Sequence, residues 1–135
     1  MNESDLDKPA NRVQSFEDLK VWQRSIDLSV HIYGLTKSFP KEEVFGLTSQ
    51  LRRASVSISS NIAEGQARRT SGEFIQFLCI ARGSNAEVRS QLTLVSRLNL
   101  GDPVLIDRCR DLTNEISRML NGLLSTLRIA KSPNR

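Results

Sequence analysis

The chain has 135 residues, enough for one domain with a single buried core, and its 39% apolar and 25% charged residues are an ordinary globular composition. No run approaches the ~20 uninterrupted apolar residues of a membrane span, and the opening MNESDLDKPANR is acidic and polar, the reverse of a secretory signal; the expectation is a cytoplasmic protein without a membrane role. The formal net charge is +4, but residues 1–18 hold five acids against Lys8 and Arg12, a balance of −3, which leaves +7 on the remainder, and 14 of the 19 basic residues are arginine. Guanidinium forks suit phosphate oxygens and buried ion pairs, so the excess points either to an anionic partner such as nucleic acid or to a helical surface laced with charge pairs.

Residues 1–14 show no apolar periodicity and read as a disordered acidic arm. Ser15, with Asp18 three residues on, resembles a capping box and opens a first helix over 16–37. That helix stops ahead of Phe39-Pro40, because the residue before a proline is pushed out of the α region. The segment KEEVFG (41–46) reads as a turn into a second helix over 47–67, with Gly65 disrupting its C-terminal end. Thr70 and Glu73 form a second capping box for a third helix over 71–98. After the break Asn99-Leu100-Gly101, Asp102 and Pro103 supply an N-cap and a first-turn proline for a fourth helix over 103–130, with 132–135 a short tail. The predicted fold class is all-α. Short connections between long helices make neighbours antiparallel, giving an up-down-up-down four-helix bundle over 15–131.

The fourth helix carries the cleanest apolar stripe, Leu105, Cys109, Leu112, Ile116, Met119, Leu123, Leu127 and Ala130. Comparable stripes run through Phe74, Phe77, Leu78, Ala81, Val88, Leu92 and Val95, and through Leu47, Leu51, Ala54, Ile58 and Ile62. The first helix is two-sided. Leu19, Trp22, Ile26, Val30 and Tyr33 share one face, while Val21, Leu28, Ile32 and Leu35 cluster about 200° away at ~100° per residue. One bundle does not easily bury both faces of a peripheral helix, so the second cluster is expected to meet another subunit.

Chemistry-bearing patterns are sparse. Cys79 and Cys109 lie among aliphatic residues and read as buried structural thiols. The single histidine, His31, falls on a polar strip with Lys20, Arg24 and Asp27, and reads as solvated. Ser55, Ser57, Ser59 and Ser60 point to different faces of one helix, without a base at helical spacing. No glycine-rich phosphate loop or histidine-based metal set is present, so no cofactor and no metal are expected.

One polar pattern stands out. Gln50, Arg53, Ser57, Asn61 and Glu64 form a narrow stripe on the second helix, and Glu73, Ser84, Glu87 and Gln91 a matching one on the third. Their antiparallel pairing makes either a polar cleft or a hydrogen-bonded seam that fixes register, with Arg53–Glu87 as its ion pair and Glu64 near Glu73. The candidate nucleic-acid-binding residues are the arginines Arg52, Arg68, Arg69, Arg82, Arg89 and Arg97, a discontinuous basic surface suited to phosphate contact and not to base reading.

The string from FEDLKVWQRS through SSNIAEGQAR, followed by SGEFIQFLCIARGSNAEVRSQL, resembles the bacterial four-helix bundle family first noticed inside intervening sequences of large-subunit ribosomal RNA genes, some of whose members are labelled S23 ribosomal proteins. The resemblance covers about residues 16–101 and is most specific from Gln50 to Gly65, with Ser71, Glu73, Phe74, Gly83, Ser84 and Glu87 supporting it. Asn85 departs from it, since the family more often has an apolar residue there. The chain is similar too to the accessory variability determinant of diversity-generating retroelements, a basic, barrel-shaped homopentamer that associates with reverse transcriptase and nucleic acid. The resemblance implies a ring-shaped homo-oligomer, a pentamer, with an RNA or DNA role. The leading expectation is a non-enzymatic bundle that binds nucleic acid through arginines. The alternative is a protein–protein adaptor, and a third reading makes Glu64, Glu73 and Glu87 the carboxylates of an enzyme.

Overall fold

The computed structural model describes residues 15–131, and the arm at 1–14 and tail at 132–135 lie outside the described residues. Ser15 caps as the sequence suggests: its hydroxyl accepts from the Glu17 N–H at 3.2 Å, and its own N–H donates to Asp18 at 3.2 Å. The box closes only one tight turn, Phe16–Asp18, before the chain extends at Leu19 and the first α-helix, α1, runs Lys20–Thr36. A tight turn spans Lys41–Glu43 and a wider π-type turn Val44–Thr48, the second kinked at Gly46. Helix α2 then runs Ser49–Gln66, α3 Ser71–Arg97 and α4 Pro103–Lys131. Every described residue in regular structure is helical.

The turns have local causes. Thr70 accepts from the Glu73 N–H at 3.1 Å, while the Glu73 carboxylate accepts a hydrogen bond from the Thr70 hydroxyl at 3.2 Å. Helix α3 ends with Asn99 in the left-handed region (φ 55), its N–H bonded to Ser96 O and that of Leu100 to Val95 O, the paired bonds of a Schellman motif. Gly101 follows at φ 72, where a Cβ would stand 2.7 Å from Leu35 Cδ1, so both conformation and space demand glycine. Asp102 then caps α4 by accepting from the Val104 N–H at 2.9 Å.

The helices pack in cyclic order, α1 on α2, α2 on α3, α3 on α4 and α4 on α1, around one core that includes Leu28, Ile32, Leu51, Ile58, Leu78, Leu92, Ile116 and Leu120. Partner numbers run in opposite senses across three of these contacts. Gln50 meets Gln91 and Ser57 meets Ser84, Asn85 meets Thr113 and Arg82 meets Asn121, and Arg24 meets Glu115 where His31 meets Arg108. Gly65 is not the helix breaker the sequence suggests. It is buried inside α2, where a Cβ would stand 2.7 Å from Phe77 Cβ and 2.9 Å from Phe74, so its bare backbone is what lets α2 approach α3.

The first helix overturns one expectation. Val21, Leu28, Ile32 and Leu35, expected at a subunit interface, are all buried inside the bundle, and the other cluster holds the outer face, with Val30 64% exposed and Ile26 and Tyr33 also open to solvent. The reason is Ser25, fully buried with its hydroxyl donating to Val21 O at 2.7 Å. A serine that satisfies itself on its own helix buries at little cost, and it completes an unbroken core stripe 21–25–28–32–35 that a count of apolar residues alone leaves gapped.

Candidate nucleic-acid interface

Each of the four helix–helix seams has its own chemistry. The α2–α3 seam is polar: Ser57 and Ser84 share a 2.8 Å hydrogen bond, the Asn61 amide donates to Ser57 O at 2.8 Å, and the Gln91 amide donates to the Glu87 carboxylate at 3.3 Å and to Gln50 at 3.5 Å. The polar stripe therefore does meet its partner, but not as an ion-paired seam. Arg53 is exposed and forms no ion pair with Glu87. Glu64 is not set against Glu73 as a carboxylate pair, since it binds Arg68 at 2.9 Å while Glu73 is engaged by Thr70. The three carboxylates of the enzyme reading thus serve separate local bonds.

The α1–α4 seam is charged and balanced. Arg24 binds Glu115 at 3.0 Å and Asp27 at 3.3 Å, and the Glu115 carboxylate, followed by Asp27, raises the pKa of the Arg24 guanidinium. His31, expected in open solvent, is half-buried here. Its Nδ1–H donates to Asp27 O at 2.7 Å, which leaves Nε2 to accept from Arg108 Nε at 3.0 Å. The α1–α2 seam mixes apolar and basic groups: a 720 Å³ hollow lies between Tyr33, Phe39, Val44 and Val56 and is lined as well by Lys37, Lys41, Arg52 and Arg53, with Arg52 stacked over the Tyr33 ring at 4.4 Å. Phe45, which follows Val44 in the chain, is 95% exposed.

The α3–α4 seam is cationic and unbalanced. Arg82 Nη1 donates to Asn121 Oδ1 at 3.2 Å, and Arg128 Nη2 approaches Cys79 Sγ at 3.5 Å. Between Asn121 and the start of α4, a 390 Å³ hollow is lined by Arg89, Ser90 and Thr93 of α3 and by Arg110, Thr113 and Asn114 of α4. Among the described residues, none pairs as an ion with Arg82, Arg89, Arg110 or Arg128. From Arg110 to Arg128 the seam runs roughly 27 Å at ~1.5 Å per residue. Beneath the hollow the buried Asn85 amide donates to Thr113 O at 2.9 Å, which sets α3 against α4 in register, and its Oδ1 has no partner.

The six arginines expected to bind nucleic acid therefore separate. Arg82 and Arg89 lie on this seam. Arg52 is half-buried on the α1–α2 side, bonded to Thr36 Oγ1 at 2.9 Å, and Arg68 is held by Glu64 and stacked over Phe77 at 4.8 Å. Arg69 and Arg97 are exposed. Arg110 and Arg128, which the sequence reading passed over, complete the cationic line. Their signal was the spacing of 18 residues, five turns of one helix, which puts both on the same face.

Cys109 is buried as expected, and desolvation pushes its thiol up to about 11. Cys79 is only half-buried. Among the described residues no cluster of three or more His, Cys, Asp or Glu stands where it could hold a metal ion, and no helix is long and apolar enough to cross a membrane.

The family model of the 23S rRNA-intervening sequence protein matches residues 17–122. The chain belongs to that family. The match reaches well into α4, further than the resemblance seen in the sequence, and takes in Arg82, Arg89 and Arg110 but stops short of Arg128. No curated protein matches the chain. Among solved structures, the chain is similar to a protein of unknown function of the S23 ribosomal protein family from Bacteroides thetaiotaomicron VPI-5482, with 23% identity over 77% of this chain and 97% of that one and a TM-score of 0.69. That likeness places this 23S rRNA-intervening sequence family member in the same fold.

Proposed function

We propose that the protein is a non-enzymatic, nucleic-acid-binding bundle that holds a phosphate backbone along its α3–α4 seam. The observation that carries this reading is the line of Arg82, Arg89, Arg110 and Arg128, four guanidinium groups from two helices with no carboxylate bound to any of them. The α1–α4 seam, where Arg24 is matched by Glu115 and Asp27, is the contrast that gives it meaning. Excess cation along a seam attracts a polyanion and releases its counterions. The arrangement offers charge without an aromatic platform, which favours backbone contact over base reading. The family name assigns no ligand, so the weight rests on the seam.

The test is direct. The protein is expected to retard labelled RNA and DNA oligonucleotides at ~50 mM salt, with little sequence preference and affinity falling steeply as salt rises. Arg82→Gln with Arg128→Gln weakens binding and flattens the salt dependence. Absence of binding at ~50 mM salt to either nucleic acid sinks the reading.

The opposed running of partner residues across the seams supports an up-down-up-down antiparallel bundle. The outer face of α1 supports self-association, with the family resemblance suggesting a pentameric ring. Its interface is then Ile26, Val30 and Tyr33 with Val56 and Phe45. A second reading, a protein–protein adaptor, rests on the same outer face of α1. Under it a partner protein stays bound after nuclease treatment and is lost in Val30→Glu, whereas a homo-oligomer is already present in the purified protein.

A further inference from the structure

We infer that the hollow between Arg89 and Arg110 is a phosphate-binding site, which takes one phosphodiester of the strand that the seam holds; this rests on the nucleic-acid reading for its ligand, though not for its chemistry. Of the described residues, six line the hollow, and none of these is an acid. Two hydroxyls are already committed, Thr93 donating to Arg89 O at 3.2 Å and Thr113 to Arg110 O at 2.7 Å. The free donors are therefore the two guanidinium groups, the Ser90 hydroxyl and the Asn114 amide. A site that offers fixed forks and neutral donors without a carboxylate selects an oxyanion, and guanidinium matches phosphate with two parallel hydrogen bonds.

The placement is built rather than incidental. The Asn85 bond to Thr113 O locks α3 against α4 one turn from Arg89, and the Thr113 hydroxyl is tied back to the residue that carries the other guanidinium. Two like charges lining one hollow repel each other while it is empty. An anion between them removes that penalty and joins the two helices. The nearest acid along α4 on the open side, Asp107, forms no ion pair with Arg110 and belongs to a separate depression around Asn99, Gly101 and Ile106.

The experiment uses the full chain and two probes. Inorganic phosphate, titrated against sodium chloride of equal ionic strength, should shift the backbone amide signals of Ser90, Thr93 and Asn114 in wild type and not in Arg89→Gln/Arg110→Gln. A single-stranded RNA oligonucleotide, followed by anisotropy across salt, should bind the double variant at least five-fold more weakly, with a log–log salt slope smaller by about 0.7, the single-strand value for one lost phosphate contact. Arg89→Lys/Arg110→Lys keeps the charge but loses the fork, and should restore the slope more than the affinity. Oligonucleotide binding untouched by the glutamine pair, or amide shifts that persist in it, overturns the hollow and leaves the seam reading standing. Phosphate uptake without oligonucleotide binding overturns the backbone assignment and the proposed function together.

Discussion

The Asn85 amide donates to the Thr113 carbonyl at 2.9 Å across the α3–α4 seam, in a position 1% exposed, while its own Oδ1 finds no partner. A buried polar group half satisfied is costly, about 1–3 kcal/mol for the orphaned acceptor. Asn85→Leu, which restores the apolar type the family resemblance implies, is expected to leave unfolding free energy unchanged or raise it by about 1 kcal/mol in urea titration. It should nevertheless weaken phosphate uptake at the hollow above it, because the register pin is gone. A large loss of stability in Asn85→Leu speaks against this account of the bond.

Two glycines make opposite predictions. A methyl at Gly65 meets Phe77 and Phe74 at 2.7 and 2.9 Å, with no flexible tip to move, so Gly65→Ala should destabilise by about 1–3 kcal/mol despite its better helix propensity. At Gly34 a Cβ meets nothing within 4 Å, and Gly34→Ala should stabilise by about 0.5–1 kcal/mol. Thermal melts of the two variants decide both.

Leu28 and Val30 separate fold from assembly. Leu28→Ala empties a fully buried position and is expected to cost about 2–5 kcal/mol, whatever the oligomeric state. Val30→Glu alters an exposed residue and should move monomer stability by less than about 0.5 kcal/mol. Its effect should instead appear in light scattering, as a fall in molecular mass. An unchanged mass would remove the outer face of α1 from the assembly.

The thiols differ in access. Cys79, half-exposed, should be alkylated first at neutral pH, with Cys109 silent until the fold opens. The folded-state pKa of Cys109 is raised, from 9.0 to about 11, so its neutral form is the one the fold favours. The sign follows: between those values the unfolded chain has lost the proton that the folded chain keeps, and stability falls as pH rises through that window. Cys109→Ala should flatten that part of the pH dependence in equilibrium unfolding.

Much of the fold was legible because caps and periodicity are local. Ser15, Thr70 and Asp102 all cap where the sequence places them, and helix boundaries fall within a few residues of expectation. What was not legible depended on residues whose type misstates their environment. Ser25 is polar by name but buried, so the core face of α1 was assigned to the wrong side. Gly65 looked like a terminator because the phenyl groups that need its bare backbone lie on another helix. The arginines were counted correctly, but which of them are neutralised depends on pairs such as Arg24–Glu115, 91 residues apart in the chain, and no local spacing reveals those.

The chain's only tryptophan and only tyrosine, Trp22 and Tyr33, both belong to the outer cluster of α1, with Trp22 packed edge-on against Phe16 at 5.1 Å. Indole and phenol emission therefore reports on one side of the molecule alone, while the arginine seam is optically dark. A change in intrinsic fluorescence on dilution would register subunits parting. An oligonucleotide settling between α3 and α4 should leave that signal still, so the two events can be watched separately in one cuvette without a label on the protein.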